Sequence, residues 1–300
     1  METSETASEK VLETRLLSRF LRGLWSLTNR DLKKWYLAPT ILLISLIQPV
    51  VWLGLFGNAF NLGKIFTGTS FNIPGLNIPQ SVLNSLGNTL LTNTFGTTSY
   101  FSFLAVGMLA FIVLFTSMMS GMSIVWDRRF GFLDKLLTTP VPRGSIVVAK
   151  ILNGVIRSLA QAVIVLVIAV ILGMTLTYVN TWSVIVTFGA LFLLGFGMSS
   201  LFVLLALHSK DWQSQMAIAN LLNLPLLFMS NAFFPVSEMP SWLQAVASVN
   251  PVSFAINIGR NALLGIPSST PIIYDFAYLS IFAVALGAIS IILSWKLLKD

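Results

Sequence analysis

The amino-acid sequence predicts an all-α integral membrane protein, with six transmembrane helices behind an N-terminal amphipathic helix in the membrane interface. Three observations predict this class. Hydrophobic residues make up 55% of the 300-residue chain and charged residues only 10%, whereas a soluble domain carries about 25% charged residues to face water. Charge-free runs recur at the length of about 20 apolar residues that a helix needs to cross a ~30 Å hydrocarbon core. Basic residues are also segregated: seven in 1–36, five in 126–150, then Lys210, Lys296 and Lys299, against Lys64 and Arg260 in the alternate segments and Arg157 inside a span. By the positive-inside rule both termini are cytosolic in a multi-pass protein of the plasma or inner membrane. The composition excludes disorder, coiled coil and disulfide scaffolds. Zero cysteines remove thiolate metal and redox chemistry, and the single histidine, His208, removes most zinc and histidine-based schemes. The net charge of +7 forms no single basic face, so no nucleic-acid partner is expected.

Residues Met1 to Lys10 are polar and acidic, without the apolar run of a signal peptide. From 11 to 34, Leu12, Leu16, Phe20, Leu24 and Leu27 alternate at helical spacing with Arg15, Arg19, Arg22, Arg30, Lys33 and Lys34. That pattern predicts a helix lying on lipid phosphate, with a solvated cytosolic helix as the alternative. Residues 1–36 thus form a cytosolic tail and interfacial helix, and 37–300 the transmembrane domain. Its spans are 37–56 (with Gln48-Pro49 inside), 100–125, 151–177, 182–207, 216–234 and 276–295. The third and fourth divide a charge-free run of 158–207 near Tyr178-Val179-Asn180. Segment 61–98, rich in Gly, Asn, Thr, Ser and Pro, reads as a loop, and 235–271 is too broken by Pro, Gly and Asn to cross.

No enzyme constellation is present: no GxxxxGK[ST] loop, no HExxH and no paired intramembrane carboxylates. Asp275 lies only at a span edge, so an internal proton relay is not expected. Energy for any transport comes from elsewhere. The most informative segment is Asp127 to Arg143. Phe130, Leu133, Leu136 and Leu137 recur at helical spacing, Asp134 and Lys135 stand exposed between them, and Thr138-Thr139-Pro140 ends the helix. Such a helix docks into a partner's groove or lies flat on lipid, which Arg128, Arg129 and Arg143 also favour. In the third span Lys150, Asn153, Gly154, Arg157, Ser158 and Gln161 fall at intervals of three and four, forming one polar stripe. Either the stripe lines a wet inner vestibule, or Arg157 snorkels to lipid phosphate at the boundary. Trp25, Trp35, Trp126, Trp182 and Trp295 read as belt residues. Gly189, Gly195 and Gly197 permit close helix approach, for subunit pairing or internal packing. His208 reads as a solvated turn residue.

The run DRRFGFLDKLLTTPVPR…AK at 127–150 resembles the D-R-E-x-G-T-L-E-x-L-L-x-T-P-x-x-R…G-K pattern of type-two ABC exporter permeases. A second match lies before the last span: Phe234-Pro235, Met239-Pro240-Ser241-Trp242-Leu243, Asn250-Pro251-Val252-Ser253-Phe254, Arg260 and Leu263-Leu264-Gly265. Arg129 and Asp134 stand where Glu is usual, and Phe132 where Thr is usual; Arg129 reverses a charge. The resemblance implies a half-transporter that pairs with a second permease subunit and with separate cytosolic ATPase subunits. ATP and Mg would bind in those partners, and no cofactor in this chain. Asp127, Arg128, Arg129, Phe130, Gly131, Phe132, Leu133, Asp134, Lys135, Leu136 and Leu137 would form the coupling helix that receives the ATPase stroke. Segment 235–265 would form short re-entrant helices in the outer leaflet, with Trp242 an interfacial anchor and the prolines and Asn250 breaking the helix. From the residues alone, an ATP-independent channel, scaffold or lipid scramblase is the competing class. Cargo identity is not written in short motifs.

Overall fold

The computed structural model describes residues 2–59, 80–139, 142–176, 178, 180–209, 211–268 and 270–297. Lys64, Pro140 and Lys210 lie outside these residues, as do the side chains of Leu12, Arg15, Leu16 and Arg19. Among the described residues the secondary structure is all helical: α1 (Glu2–Tyr36), α2 (Pro39–Ala59), α3 (Gln80–Phe95), α4 (Tyr100–Arg129), α5 (Phe132–Leu137), α6 (Arg143–Ile171), α7 (Thr181–His208), α8 (Trp212–Phe228), α9 (Ser241–Ala247), α10 (Pro251–Leu264) and α11 (Ile272–Leu297). Four of them, α4, α6, α7 and α11, are long and apolar enough to cross a membrane.

α4 is apolar on all sides, and a helix of that composition belongs at the centre of a bundle. It does so here, buried along nearly its whole length and packed by α6, α7, α2, α8 and α10. α11 packs mainly on α7 and turns Ile281, Val284 and Ile292 outward, while α6 exposes Val163, Val167 and Val170. These faces, with Leu43, Ile44, Ile47 and Leu55 of α2, present apolar side chains where a soluble protein would place charges. Trp25, Trp126, Trp182 and Trp295 are exposed, but Trp35 is buried and so is not a belt residue.

The close approach of the central helices depends on small residues. A Cβ at Gly154 would sit 2.7 Å from both Ser120 Cβ of α4 and Ser199 Oγ of α7. Gly195 faces Ser158 and Val113, and Gly197 faces the Phe282 ring of α11. These α7 glycines therefore serve packing within this chain. Gly154→Ala should lower the thermal midpoint in detergent, since overpacking a well-filled core costs about 1–3 kcal/mol. An unchanged midpoint would show that α6 can shift freely.

α3 and α8 depart from the sequence reading. Residues 80–95, expected within a loop, form α3, whose Leu91 and Phe95 pack on the core. The polar composition hid a helix that meets its own needs: Ser85 and Thr89 hydroxyls donate to the carbonyls of Val82 and Ser85, each at 2.8 Å. α8 ends at Phe228 rather than near 234. Pro225 interrupts its ladder, and Ser230 Oγ accepts from the Ala232 amide at 3.2 Å, turning the chain.

Candidate functional site: the basic end of the bundle

α4 does not run on into a helix spanning 127–137. Asp127, Arg128 and Arg129 complete α4, and Gly131, at φ 65°, breaks the chain before α5. That left-handed conformation favours glycine, which has no Cβ to strain it. α5 then lies across the bundle end. Leu133 (5% exposed) and Leu136 (8%) are buried against Ile124, Ile146, Ile151 and Leu207 of this chain. They are therefore unavailable as anchors for a partner or for lipid. The outward surface is Arg129, Phe130, Asp134 and Lys135, with Phe130 76% exposed. Arg128 turns back onto this chain: its guanidinium donates to the carbonyls of Ser209 (2.8 Å) and Leu207 (3.3 Å), closing the C-terminal end of α7. Thr138 and Thr139 hydroxyls donate back to the carbonyls of Lys135 (2.9 Å) and Leu136 (2.6 Å), finishing α5.

Behind α5, four charges join three helices distant in sequence. Lys150 Nζ of α6 lies 2.5 Å from Asp127 Oδ2 of α4 and 2.7 Å from Asp31 Oδ2 of α1. Arg30 closes the ring, 2.6 Å from Asp31 Oδ1 and 3.6 Å from Asp127 Oδ2. Its guanidinium also stacks 4.1 Å over the Phe132 ring of α5. Burial would push the Asp31 carboxyl up, but Lys150 and Arg30 outweigh it and hold it below its ordinary value. The sequence reading missed Asp31. A signal existed: it is the lone acid between Glu13 and Tyr36 in a basic stretch.

The polar stripe of α6 divides. Lys150, Asn153 and Arg157 line a cavity of about 220 Å³ together with Trp35, Met119 and Trp126. Gln161 does not reach it. Its amide donates to Ser45 Oγ of α2 at 2.5 Å and its carbonyl accepts from the Thr116 hydroxyl of α4, so it clamps three helices. His208 is exposed, its Nδ1 3.0 Å from the Leu204 carbonyl.

At the opposite end, the motif before α11 folds as a wedge. Pro235 precedes a 3-10 turn at Val236–Glu238, and Pro240 precedes α9, with Phe234 and Trp242 exposed. Asn250 caps α10 by accepting from the Val252 amide (3.0 Å) and donates to the Leu226 carbonyl (2.7 Å), tying the wedge to α8. Pro251 occupies the first turn, where its missing N–H is harmless, and Gly265 ends α10 at φ 69°. Arg260, expected in an outer loop, is 4% exposed. It donates to the carbonyls of Phe103 (3.3 and 3.2 Å), Asn231 (2.8 Å) and Ala232 (3.0 Å), stacks 3.3 Å over the Phe103 ring and borders a second cavity of about 300 Å³.

An all-helical bundle, among the described residues, with a lipid-compatible belt and an ion-paired junction at one end is a multi-pass membrane protein. The ABC-2 type transporter family model matches residues 22–264, and the chain belongs to that family. It is similar to the putative transport permease ycf38 of Cyanophora paradoxa, 31% identical over 91% of this chain and 84% of that protein. The daunorubicin resistance ABC transporter permease protein DrrB1 of Streptomyces coeruleorubidus is 28% identical over 56% of this chain and 59% of its own length. The inner membrane transport permease YadH of Escherichia coli is 24% identical over 67% and 75%. The chain is a membrane permease subunit of an ABC transporter.

Proposed function

We propose that this chain forms half of the transmembrane pathway of an ATP-driven exporter, paired with a second permease subunit. Cytosolic ATPase subunits, which bind ATP and Mg, drive it through α5. Six segments cross the bilayer, α2 and α8 joining the four long helices, and both termini are cytosolic. At 1.5 Å per residue α2 covers about 32 Å, and α8 about 26 Å before its turn. The segregation of basic residues supports the orientation, and similarity to a permease named for drug resistance supports outward transport.

The observation that carries the coupling assignment is the two-sided construction of α5. One face is locked into this chain's core and bound to α1 through Phe132, while the other presents Asp134 and Lys135 beside Arg129 and Phe130 at the end of α4. A push on that surface reaches α4, α6 and α1 together. Phe130→Asp should leave the thermal midpoint near wild type and abolish co-purification of the ATPase. A central aromatic anchor is worth about 2 kcal/mol or more, roughly a 30-fold loss of affinity. Leu133→Asp should instead destabilise the permease itself. Normal ATPase association and transport by Phe130→Asp would reject the docking surface.

A further inference from the structure

The cavity between α1, α4 and α6 has an unusual balance of hydrogen-bonding groups. Three buried donors on its wall have no partner: Trp35 Nε1, Asn153 Nδ2 and Arg157 Nε. A buried donor left without an acceptor is costly, and native folds hold few of them. Here three converge on one space from two helices. The carboxylates that share the wall, Asp31 and Asp127, are already occupied by Arg30 and Lys150. Arg157, only half-buried, makes no ion pair among the described residues and rests 5.5 Å over the Trp35 ring, while Lys34 stands exposed at the rim. Water could satisfy the donors but would leave the Arg157 charge without an ion pair. Apolar side chains complete the wall, and two of them, Met119 and Trp126, are also exposed at the surface. A ligand fitting this site is anionic and rich in acceptors at one end, and apolar at the other.

We infer that this cavity binds the phosphate headgroup of a membrane amphiphile, with Arg157, Asn153 and Trp35 donating to phosphate oxygens and the acyl chain leaving past Met119 and Trp126. The placement in the inner leaflet rests on the orientation proposed above. The site itself does not depend on ATPase docking. Interfacial α1 supplies Trp35 and Lys34 to one wall, so the bound headgroup sits where α1 meets the lipid surface.

The test uses the purified, delipidated permease in a neutral detergent, read by native mass spectrometry. Phosphatidylglycerol, diacylglycerol of the same acyl chains, and inorganic phosphate are added in separate arms. Phosphatidylglycerol should bind at least about tenfold more tightly than diacylglycerol. Arg157→Gln should remove most of that preference and Arg157→Lys should keep most of it. Trp35→Phe, which keeps a smaller aromatic ring but removes the N–H, should weaken it without altering the elution profile. Equal retention of the two lipids, or full retention of phosphatidylglycerol by Arg157→Gln, overturns the proposal. Binding of inorganic phosphate as tightly as the lipid, with the same Arg157 dependence, overturns the lipid assignment in favour of a free anion. Because the readout needs neither ATPase nor transport, failure here is distinct from failure of the exporter reading.

Discussion

Lys150→Met should produce the largest loss of stability at the basic end, about 3–5 kcal/mol, the range measured when one partner of a buried ion pair is removed. Lys150 is 4% exposed and holds two carboxylates at 2.5 and 2.7 Å. The variant leaves Asp31 and Asp127 facing each other with only Arg30 between them. Thermal unfolding in detergent should move down by several degrees, and limited proteolysis should cut near α1 sooner, because α1 loses a tether to α6. Adding Asp31→Asn should recover part of the loss by removing one of the two carboxylates left to share Arg30. An unchanged midpoint for Lys150→Met would show that water already solvates the cluster. Acid should act on the same contact. The Asp31 carboxyl is held below its ordinary value of 3.8, with burial opposing and Lys150 and Arg30 prevailing. A lowered folded-state value means that this stabilisation is fully present above about pH 4 and disappears as pH falls through the lowered value. Asp31→Asn should therefore flatten the stability profile below pH 4 and leave the remainder of the curve parallel to wild type.

The bundle was legible in the sequence because lipid imposes one strong rule, that backbone polar groups be satisfied within the segment. Long charge-free runs then read directly as α4, α6, α7 and α11. What escaped were features decided by geometry between helices. The spacing of Phe130, Leu133 and Leu136 announced an amphipathic segment, but not whether its apolar face met a partner or this chain's own core. Gly131 decided that, by turning α5 back onto Ile146 and Ile151. Periodicity likewise placed Lys150, Asn153, Arg157 and Gln161 on one stripe, and neighbouring helices then gave them different roles. Asp31 met Lys150 across 119 positions of sequence, a separation no local pattern encodes. Trp35 was hidden by its position near a boundary, where belt and buried tryptophans share the same local sequence.

Arg260→Met should have the second large effect, at the opposite end of the molecule. The guanidinium gathers three backbone carbonyls, from Phe103 in α4 and from Asn231 and Ala232 in the turn after α8, and no carboxylate pairs with it among the described residues. Helix and turn can each be formed locally, but their docking requires those carbonyls to find donors away from water. Hydrogen bonds from a charged donor contribute about 1.5–3 kcal/mol each, and not additively. Methionine matches the stem and the packing on Phe103 while supplying no donor, so a loss of at least about 3 kcal/mol is expected. Lysine keeps the charge but concentrates its donors at one point and cannot span carbonyls that the planar fork reaches together. Arg260→Lys should therefore recover little. Thermal unfolding of both variants in detergent, beside Asn250→Ala as a milder cut in the same wedge, measures this directly. Asn250→Ala should cost about 1 kcal/mol as a lost helix cap. If Arg260→Met unfolds at the wild-type midpoint but transports poorly, the residue acts on whatever occupies the adjoining cavity of about 300 Å³, and its four backbone contacts are incidental.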